Sequence, residues 1–272
     1  QTDEVTGLST LVVVDPKRTK TAEQMFVELE TLPDALPPSG YLWVATSRSA
    51  FESAIGEVQA RLLAWTGAQL FDLHISDLLN KQLTSNFDYT SAYDLLVFRR
   101  LAAGASEAVD ADGPVESGRQ NAISMIDTSP VGFVVFDRIL LSVHPTDCLV
   151  REFFAQRLKS QTSSGDGRGS ARMPTSPADL MLRMVNFMVD SYLDLRKLLT
   201  KQLDELQEEL FDPRRGGGGG WRLLLDSRNA LHFLEDTCED QRAAIVEWLD
   251  ALEEWPAAPD EATRREREQL RV

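Results

Sequence analysis

Cysteine is nearly absent: Cys148 and Cys238 are the only two in 272 residues, too few for a disulfide framework. The three histidines, His74, His144 and His232, are scattered and make a poor transition-metal set. No run of 18 apolar residues occurs, so nothing in this sequence reads as a bilayer span, and the residues after Gln1 lack the basic-then-apolar pattern of a signal peptide. Positive charge is also scarce. Twenty-eight Lys and Arg face 43 Asp and Glu, a net charge of −15, which argues against a general nucleic-acid binder, since that needs a basic face to neutralise phosphates. What the chain does have is 43% hydrophobic residues, enough for the core of one large domain or two small ones. These balances predict a soluble, cytosolic chain without a zinc or haem centre.

The first 160 residues read as short strands mixed with helices. Leu11–Val14 is a β-branched run stopped by Asp15-Pro16, and Tyr41–Ala45 is a second strand. Between them, Thr21 as cap and Met25, Phe26 and Leu29 at helical spacing predict a helix through Glu30. Ser47 or Ser49 opens an amphipathic helix on which Phe51, Ile55, Val58, Leu62 and Trp65 recur, and Gly67 stops it. Phe87–Thr90, Tyr93–Phe98, Ile123–Ile126, Val131–Phe136 and Ile139–Val143 read as strands. Asp137-Arg138 makes the last two a tight hairpin, so part of the sheet is antiparallel. A helix follows over Asp147–Lys159, then a Ser-, Gly- and Arg-rich connector over Ser160–Ser176.

The last third is helical. Ser176-Pro177 is a cap with Pro at the first helical position, and Met181, Val185, Met188, Tyr192, Leu195, Leu199, Leu203, Leu206 and Leu210 keep a 3/4 spacing up to Asp212-Pro213. A second helix from Trp221 carries Leu224, Leu231, Leu234, Cys238, Ile245, Trp248 and Leu252. Together they predict a long antiparallel helical hairpin, each arm roughly 45–50 Å at ~1.5 Å per residue. Pro256 and Pro259 end it, and Asp260 caps a third helix over Ala262–Val272 that stops while still helical, as in a fragment of a longer protein. The expected fold is an α/β/α sandwich with a mixed sheet over residues 1–160, a connector over 161–176, the hairpin over 177–255 and the start of a stalk helix over 260–272.

Catalysis has little support. Neither Gly-x-Ser-x-Gly nor His-Glu-x-x-His occurs, and the glycines 216–220 lack the Lys-Ser/Thr of a phosphate loop. The His144-Pro145 corner reads first as a strand-end histidine, and Cys148 as a small buried apolar residue. The carboxylates carry more chemistry. Asp72, Asp77, Asp88 and Asp94 fall within 23 residues, and Glu205, Glu208, Glu209 and Asp212 crowd the hairpin tip. Oxygen-only clusters suit hard cations such as Mg²⁺ or Ca²⁺, although most such clusters are solvated faces. Asp190 sits inside the apolar stripe among Met188, Val189, Tyr192 and Leu193, where a carboxylate needs a partner or the helix edge.

Phe71-Asp72-Leu73-His74-Ile75-Ser76-Asp77-Leu78-Leu79-Asn80, then Asn86-Phe87-Asp88-Tyr89 and Tyr93–Phe98, resembles the "His-Pro-Leu-x-Leu-Glu-Asp-x-Leu … Lys-Val-Glu-x-Tyr … Tyr-Leu-Phe-x-x-Leu" stretch of CorA-type divalent-cation transporters. Val131–Phe136 with Leu140–His144 resembles that family's strand, turn and "Leu-Ile-Thr-Val-His" hairpin. Ser176–Leu180 with Val189-Asp190-Ser191-Tyr192 resembles its "Ser-Pro-x-x-Leu … Val-Asp-x-Tyr" stretch. In order and spacing the likeness runs from Trp43 to Trp255.

The resemblance implies a homopentamer whose cytosolic funnel is an α/β/α sandwich with long helices, leading by a stalk into two membrane helices with Gly-Met-Asn after the first. This sequence has neither, so it corresponds to the cytosolic part, tied to the membrane's cytoplasmic face only through helices it does not include. The family's regulatory aspartate, which binds a divalent cation between subunits and holds the pore closed, falls on Asp77. With Asp72 and Asp190 it forms the candidate metal set, and the expected ion is Mg²⁺, with Zn²⁺ or Co²⁺ as alternatives. Three positions depart from the pattern: Ser76 stands for the glutamate before that aspartate, Phe71-Asp72 for the His-Pro, and Asn186 for a further aspartate. Each lost carboxylate lowers the site's charge and its cation affinity. The alternatives are a zinc-transporting branch of the same family, a soluble scaffold using the hairpin, and an α/β enzyme acting at His144.

Overall fold

The computed structural model describes residues 8–13, 26–29, 31–103, 126–145, 148–163, 174–211 and 218–254. Seven strands form one sheet in the order β2-β1-β3-β9-β8-β5-β4: β1 (Leu8–Val13), β2 (Phe26–Leu29), β3 (Tyr41–Ser47), β4 (Asn86–Tyr89), β5 (Asp94–Arg99), β8 (Pro130–Val135) and β9 (Ile139–His144). A two-stranded ribbon joins β6 (Ala102–Ala103) to β7 (Ile126–Asp127). Only β3 and β9 run parallel, in register from Leu42↔Ile139 to Ser47↔His144, and every other described pairing is antiparallel. The mixed sheet is as expected, and the β8–β9 hairpin turns at Asp137-Arg138, with Phe136 N–H donating to Ile139 O.

Strand alternation sends side chains to opposite faces. Leu42, Val44, Leu95, Val97, Val134, Leu141 and Val143 face α1 (Arg48–Thr66) and α2 (Asp72–Leu79), which supply Phe51, Val58, Leu62 and Leu78. Trp43, Leu96, Phe98, Phe133 and Leu140 face the other way, onto α3 (Leu149–Ser163), α4 (Pro177–Asp190) and the C-terminal part of α6 (Gly218–Glu254). Helices thus cover both faces, which is the α/β/α sandwich. Ser47 caps α1 by accepting from Ala50 N–H at 3.2 Å, and Gly67, at φ 77°, ends it with its N–H on Leu63 O.

Two expectations are corrected. Phe26–Leu29 is a strand paired antiparallel with β1 (Val12↔Val27, Val13↔Phe26), not the end of a helix, because the open edge of β1 offers this short run backbone partners along one side. The rest of the expected Thr21–Glu30 helix lies outside the described residues. Helix α3 continues to Ser163, four residues into the expected connector. The long helix is nearly as expected: α4 and α5 (Tyr192–Phe211) are joined through Ser191, where the regular ladder skips one residue and Ser191 Oγ lies 2.6 Å from Met188 O and 3.2 Å from Leu101 O.

Helix α6 returns beside α4 and α5. Trp248 and Leu252 share a core with Met181, Met184 and Met188, Gln241 Nε2 reaches Tyr192 at 2.5 Å, and Leu234 packs with Leu195. The partners run in opposite order, Trp248 near Met181–Met188, Gln241 at Tyr192 and Leu234 at Leu195, so the arms are antiparallel. The expected third helix over Ala262–Val272 lies outside the described residues. Among them, no helix is long and apolar enough to cross a membrane.

Helix α2 approaches the sheet over Gly132. A Cβ there would collide with Leu78 Cδ2, and Leu78 is fully buried. Gly132→Ala is therefore expected to cost about 1–3 kcal/mol as an overpacking change, read as a lower urea midpoint at unchanged slope. An unchanged midpoint would mean that α2 is not held this closely.

Candidate metal centre

Helix α2 starts without a side-chain cap at Phe71. Its inner face is pinned instead by His74, only 3% exposed, whose Nδ1 lies 2.8 Å from Tyr93 Oη and whose Nε2 lies 3.0 Å from Asp88 Oδ2. Phe71 N–H donates to the same Tyr93 oxygen at 3.0 Å. Both ring nitrogens thus face an oxygen, the phenol at Nδ1 and the Asp88 carboxylate at Nε2. The far end of α2 is held by buried guanidiniums from other elements. Arg48 donates to Leu78 O at 3.2 Å and to Pro130 O at 2.7 Å, and Arg99 donates to Lys81 O at 3.1 Å and Leu83 O at 3.3 Å. Cations at a helix C-terminus satisfy its loose carbonyls and oppose its negative pole.

This fastening sets the outward face of α2: Asp72, Leu73, Ser76 and Asn80 are exposed and Asp77 is half-buried. Burial raises the Asp77 carboxyl above the ordinary range, nearby His74 opposes the shift, and the Asp88 carboxylate adds to it. An acid under such pressure gains from a cation set beside it. Asp72 and Asp77 are five residues apart, about 140° around the helix.

Asp190 lies elsewhere. It is the last residue of α4, on the opposite side of the sheet, exposed at the helix edge. There it borders a groove of about 260 Å³ with Asn186, Phe187, Phe154, Leu158, Arg157 and Arg183. Within one chain Asp190 therefore does not meet Asp72 or Asp77. Among the described residues no three His, Cys, Asp or Glu side chains are grouped to hold a metal ion. At the hairpin tip Glu208 is exposed, and the other three acids there have side chains outside the described set.

Sequence reasoning missed the roles of His74, Tyr93 and Asp88 together. Tyr93 is 19 residues from His74, and no spacing rule joins them before β4 and β5 pair. The alternative active-site corner is closed: His144 is 2% exposed, its Nε2 lies 2.8 Å from Ser142 Oγ, and Cys148 is buried.

No family model matches the sequence, and no curated protein does. Solved structures do. The fold superposes on the CorA magnesium transporter of Methanocaldococcus jannaschii with a TM-score of 0.59 at 12% identity, covering 97% of this chain and 68% of that one. The fold is that of a CorA-type cytosolic domain. The soluble domain of the Methanocaldococcus jannaschii CorA gives a TM-score of 0.57 at 14% identity, over 98% of this chain and 87% of that one. The ZntB cytoplasmic domain from Vibrio parahaemolyticus gives 0.56 at 14% identity, over 96% and 86%. In this CorA-type fold α2 and its two aspartates stand on one side of the sheet and Asp190 on the other.

Proposed function

We propose that the chain is the cytosolic, non-catalytic, metal-responsive part of a CorA-type divalent-cation transporter, on the cytoplasmic face of the membrane and working as a homopentamer. The observation that carries this reading is the superposition of 97% of the chain on a magnesium transporter. The outward-facing Asp77 of α2 supports it, as a carboxylate already raised by burial beside Asp88. A divalent ion bound at Asp77 is completed by oxygens of a neighbouring copy, while Asp72, on another side of α2, and Asp190 serve separate contacts between copies. The ion neutralises carboxylates that face one another between copies. Without it they repel and the closed ring loosens, a shift of population between two assemblies. The net charge of −15 raises the local cation concentration and acts in the same direction.

The test is limited proteolysis and sedimentation of the chain with EDTA or with Mg²⁺. Millimolar Mg²⁺ is expected to slow digestion several-fold in the wild type and to leave Asp77→Ala as in EDTA. Equal digestion of the two proteins in Mg²⁺ would remove Asp77 from the site. The likeness to the ZntB domain makes Zn²⁺ the second ion to titrate, and protection by Zn²⁺ alone would assign the zinc branch.

A further inference from the structure

The start of α2 is an apolar pair around a carboxylate. Phe71 and Leu73 are left 60% and 66% exposed, on either side of exposed Asp72. The inner side of the Phe71 ring rests on His74 and Tyr93, with centroids at 5.6 and 6.3 Å, so the ring is held in place while its outer side faces water. Among the described residues Asp72 has no salt bridge to Lys or Arg. The helix also starts without a side-chain cap, which leaves its first N–H groups and positive pole open to an acceptor.

The groove between α3 and α4 has the reverse features. Phe154, Leu158 and Phe187 are apolar walls around a volume of about 260 Å³, and a cavity of roughly 150 Å³ already takes a benzene ring. Aromatic stacking stiffens one wall. Phe153 lies against Phe187 at 4.1 Å between centroids and 15° between planes, and the Arg157 guanidinium stands 5.8 Å from the centre of the Phe153 ring. Arg157 and Arg183 bring positive charge to the groove, and Asp190 borders it two turns of α4 beyond Arg183, about 10 Å along the axis. Arg183 is also held by Asp179 at 2.8 Å, so exposed Arg157 is the stronger attraction for an incoming carboxylate.

Helix α2 and this groove lie on opposite faces of the sheet, so neither fills the other within one chain. We propose that the Phe71–Leu73 start of α2 in one copy seats in the α3–α4 groove of a second copy of this chain. Phe71 lies on the wall of Phe154 and Phe187, Asp72 pairs with Arg157, and Asp190 meets the uncapped N–H end of α2. Two different surfaces meet in such a contact, so it repeats from copy to copy and closes into a ring when the rotation allows. The inference deepens the reading above, because it rests on the chain assembling with itself. The contacts that Asp72 and Asp190 serve apart from the Asp77 ion become two sides of one joint, and that joint holds without a divalent ion.

The experiment is disulfide trapping of the full chain in EDTA, in a Cys238→Ser background because Cys238 is exposed while Cys148 is buried. A Leu73→Cys chain is mixed with an Asn186→Cys chain in a glutathione redox buffer, Asn186 being exposed at the groove. Their mixed dimer is expected to form roughly tenfold faster than one between Leu73→Cys and Ala60→Cys, an exposed site on α1, because docking raises the effective concentration of the two thiols. Adding Arg157→Glu to the Asn186→Cys chain should slow trapping about fivefold, and Asp72→Arg in the other chain should restore most of that loss. A rate equal to the Ala60 control, an Arg157→Glu chain that traps as fast as its parent, or a loss the swap does not restore would each overturn the proposal. So would a Leu73→Cys chain that pairs fastest with itself, which would put two α2 faces together. Because every arm is in EDTA, a failure here is separable from a failure of Mg²⁺ protection at Asp77.

Discussion

Trp248→Ala is expected to destabilise the protein by about 3–5 kcal/mol, the usual range for emptying a large buried aromatic site. Trp248 has no exposed surface, and it brings α6 into the same core as Met181, Met184 and Met188 of α4 and Leu96 and Phe98 of β5. Its loss leaves a cavity where a helix meets the sheet, in packing too dense to close over it. The indole N–H has no hydrogen-bond partner among the described residues. Trp248→Phe removes that unsatisfied donor along with part of the ring and is expected to cost about 1–2 kcal/mol at most. Trp43 provides the control. It is equally buried, but its Nε1 donates to Ser142 Oγ at 2.8 Å, so Trp43→Phe both opens a gap and strips a partner from a buried hydroxyl. Urea unfolding should rank Trp248→Phe above Trp43→Phe, with Trp248→Ala lowest. A Trp248→Ala variant as stable as wild type would mean that α6 is not part of this core.

The second large effect is acid sensitivity from His144. The ring is buried, with Ser142 at one nitrogen and none at Nδ1 among the described residues. Burial, and then the charges of Arg151, Arg100 and Arg48, push its pKa down to about 3 from 6.5. Between those values the unfolded chain holds the proton and the folded chain does not. Stability therefore falls as pH drops through the window, by about 3–5 kcal/mol when fully developed. Asp94 acts in the opposite sense. Burial, then Asp137, raises it to about 6 from 3.8, so between those values the folded chain holds the extra proton and acidification stabilises. The two contributions overlap, and only a difference between variants separates them. From pH 6 to pH 4 the stability of wild type should fall faster than that of His144→Gln, by up to about 1.4 kcal/mol per pH unit. Parallel pH profiles would show that His144 is not buried neutral.

Local rules reach far in this chain because many of its elements end on local chemistry. Ser47 and Gly67 bound α1 through bonds made within four residues, and Asp137-Arg138 is a hairpin by its length alone. The alternating strands place two apolar sets on two faces wherever the chain runs afterwards. The failure at Phe26–Leu29 has the same root. Four residues suit a helix turn or a strand equally, and the arbiter is the open edge of β1, which is distant information.

The candidate site shows the same division. The apolar stripe put Asp190 on the long helix, and that assignment stands; the structure adds that Asp72 and Asp77 share the short helix α2. What no pattern contained is that α2 and α4 cover opposite faces of the sheet, so that carboxylates from one acidic inventory are kept apart within a chain. Nor did it contain the pins of α2, because His74, Tyr93, Asp88, Arg48 and Arg99 come from separate elements joined only when the sheet closes. Composition and periodicity determined the elements and the charge, which depend on neighbours a few residues apart. The tertiary structure decided which carboxylates face water, which are pressed by burial, and which can meet, because those depend on distances between elements that the chain sets only by packing them.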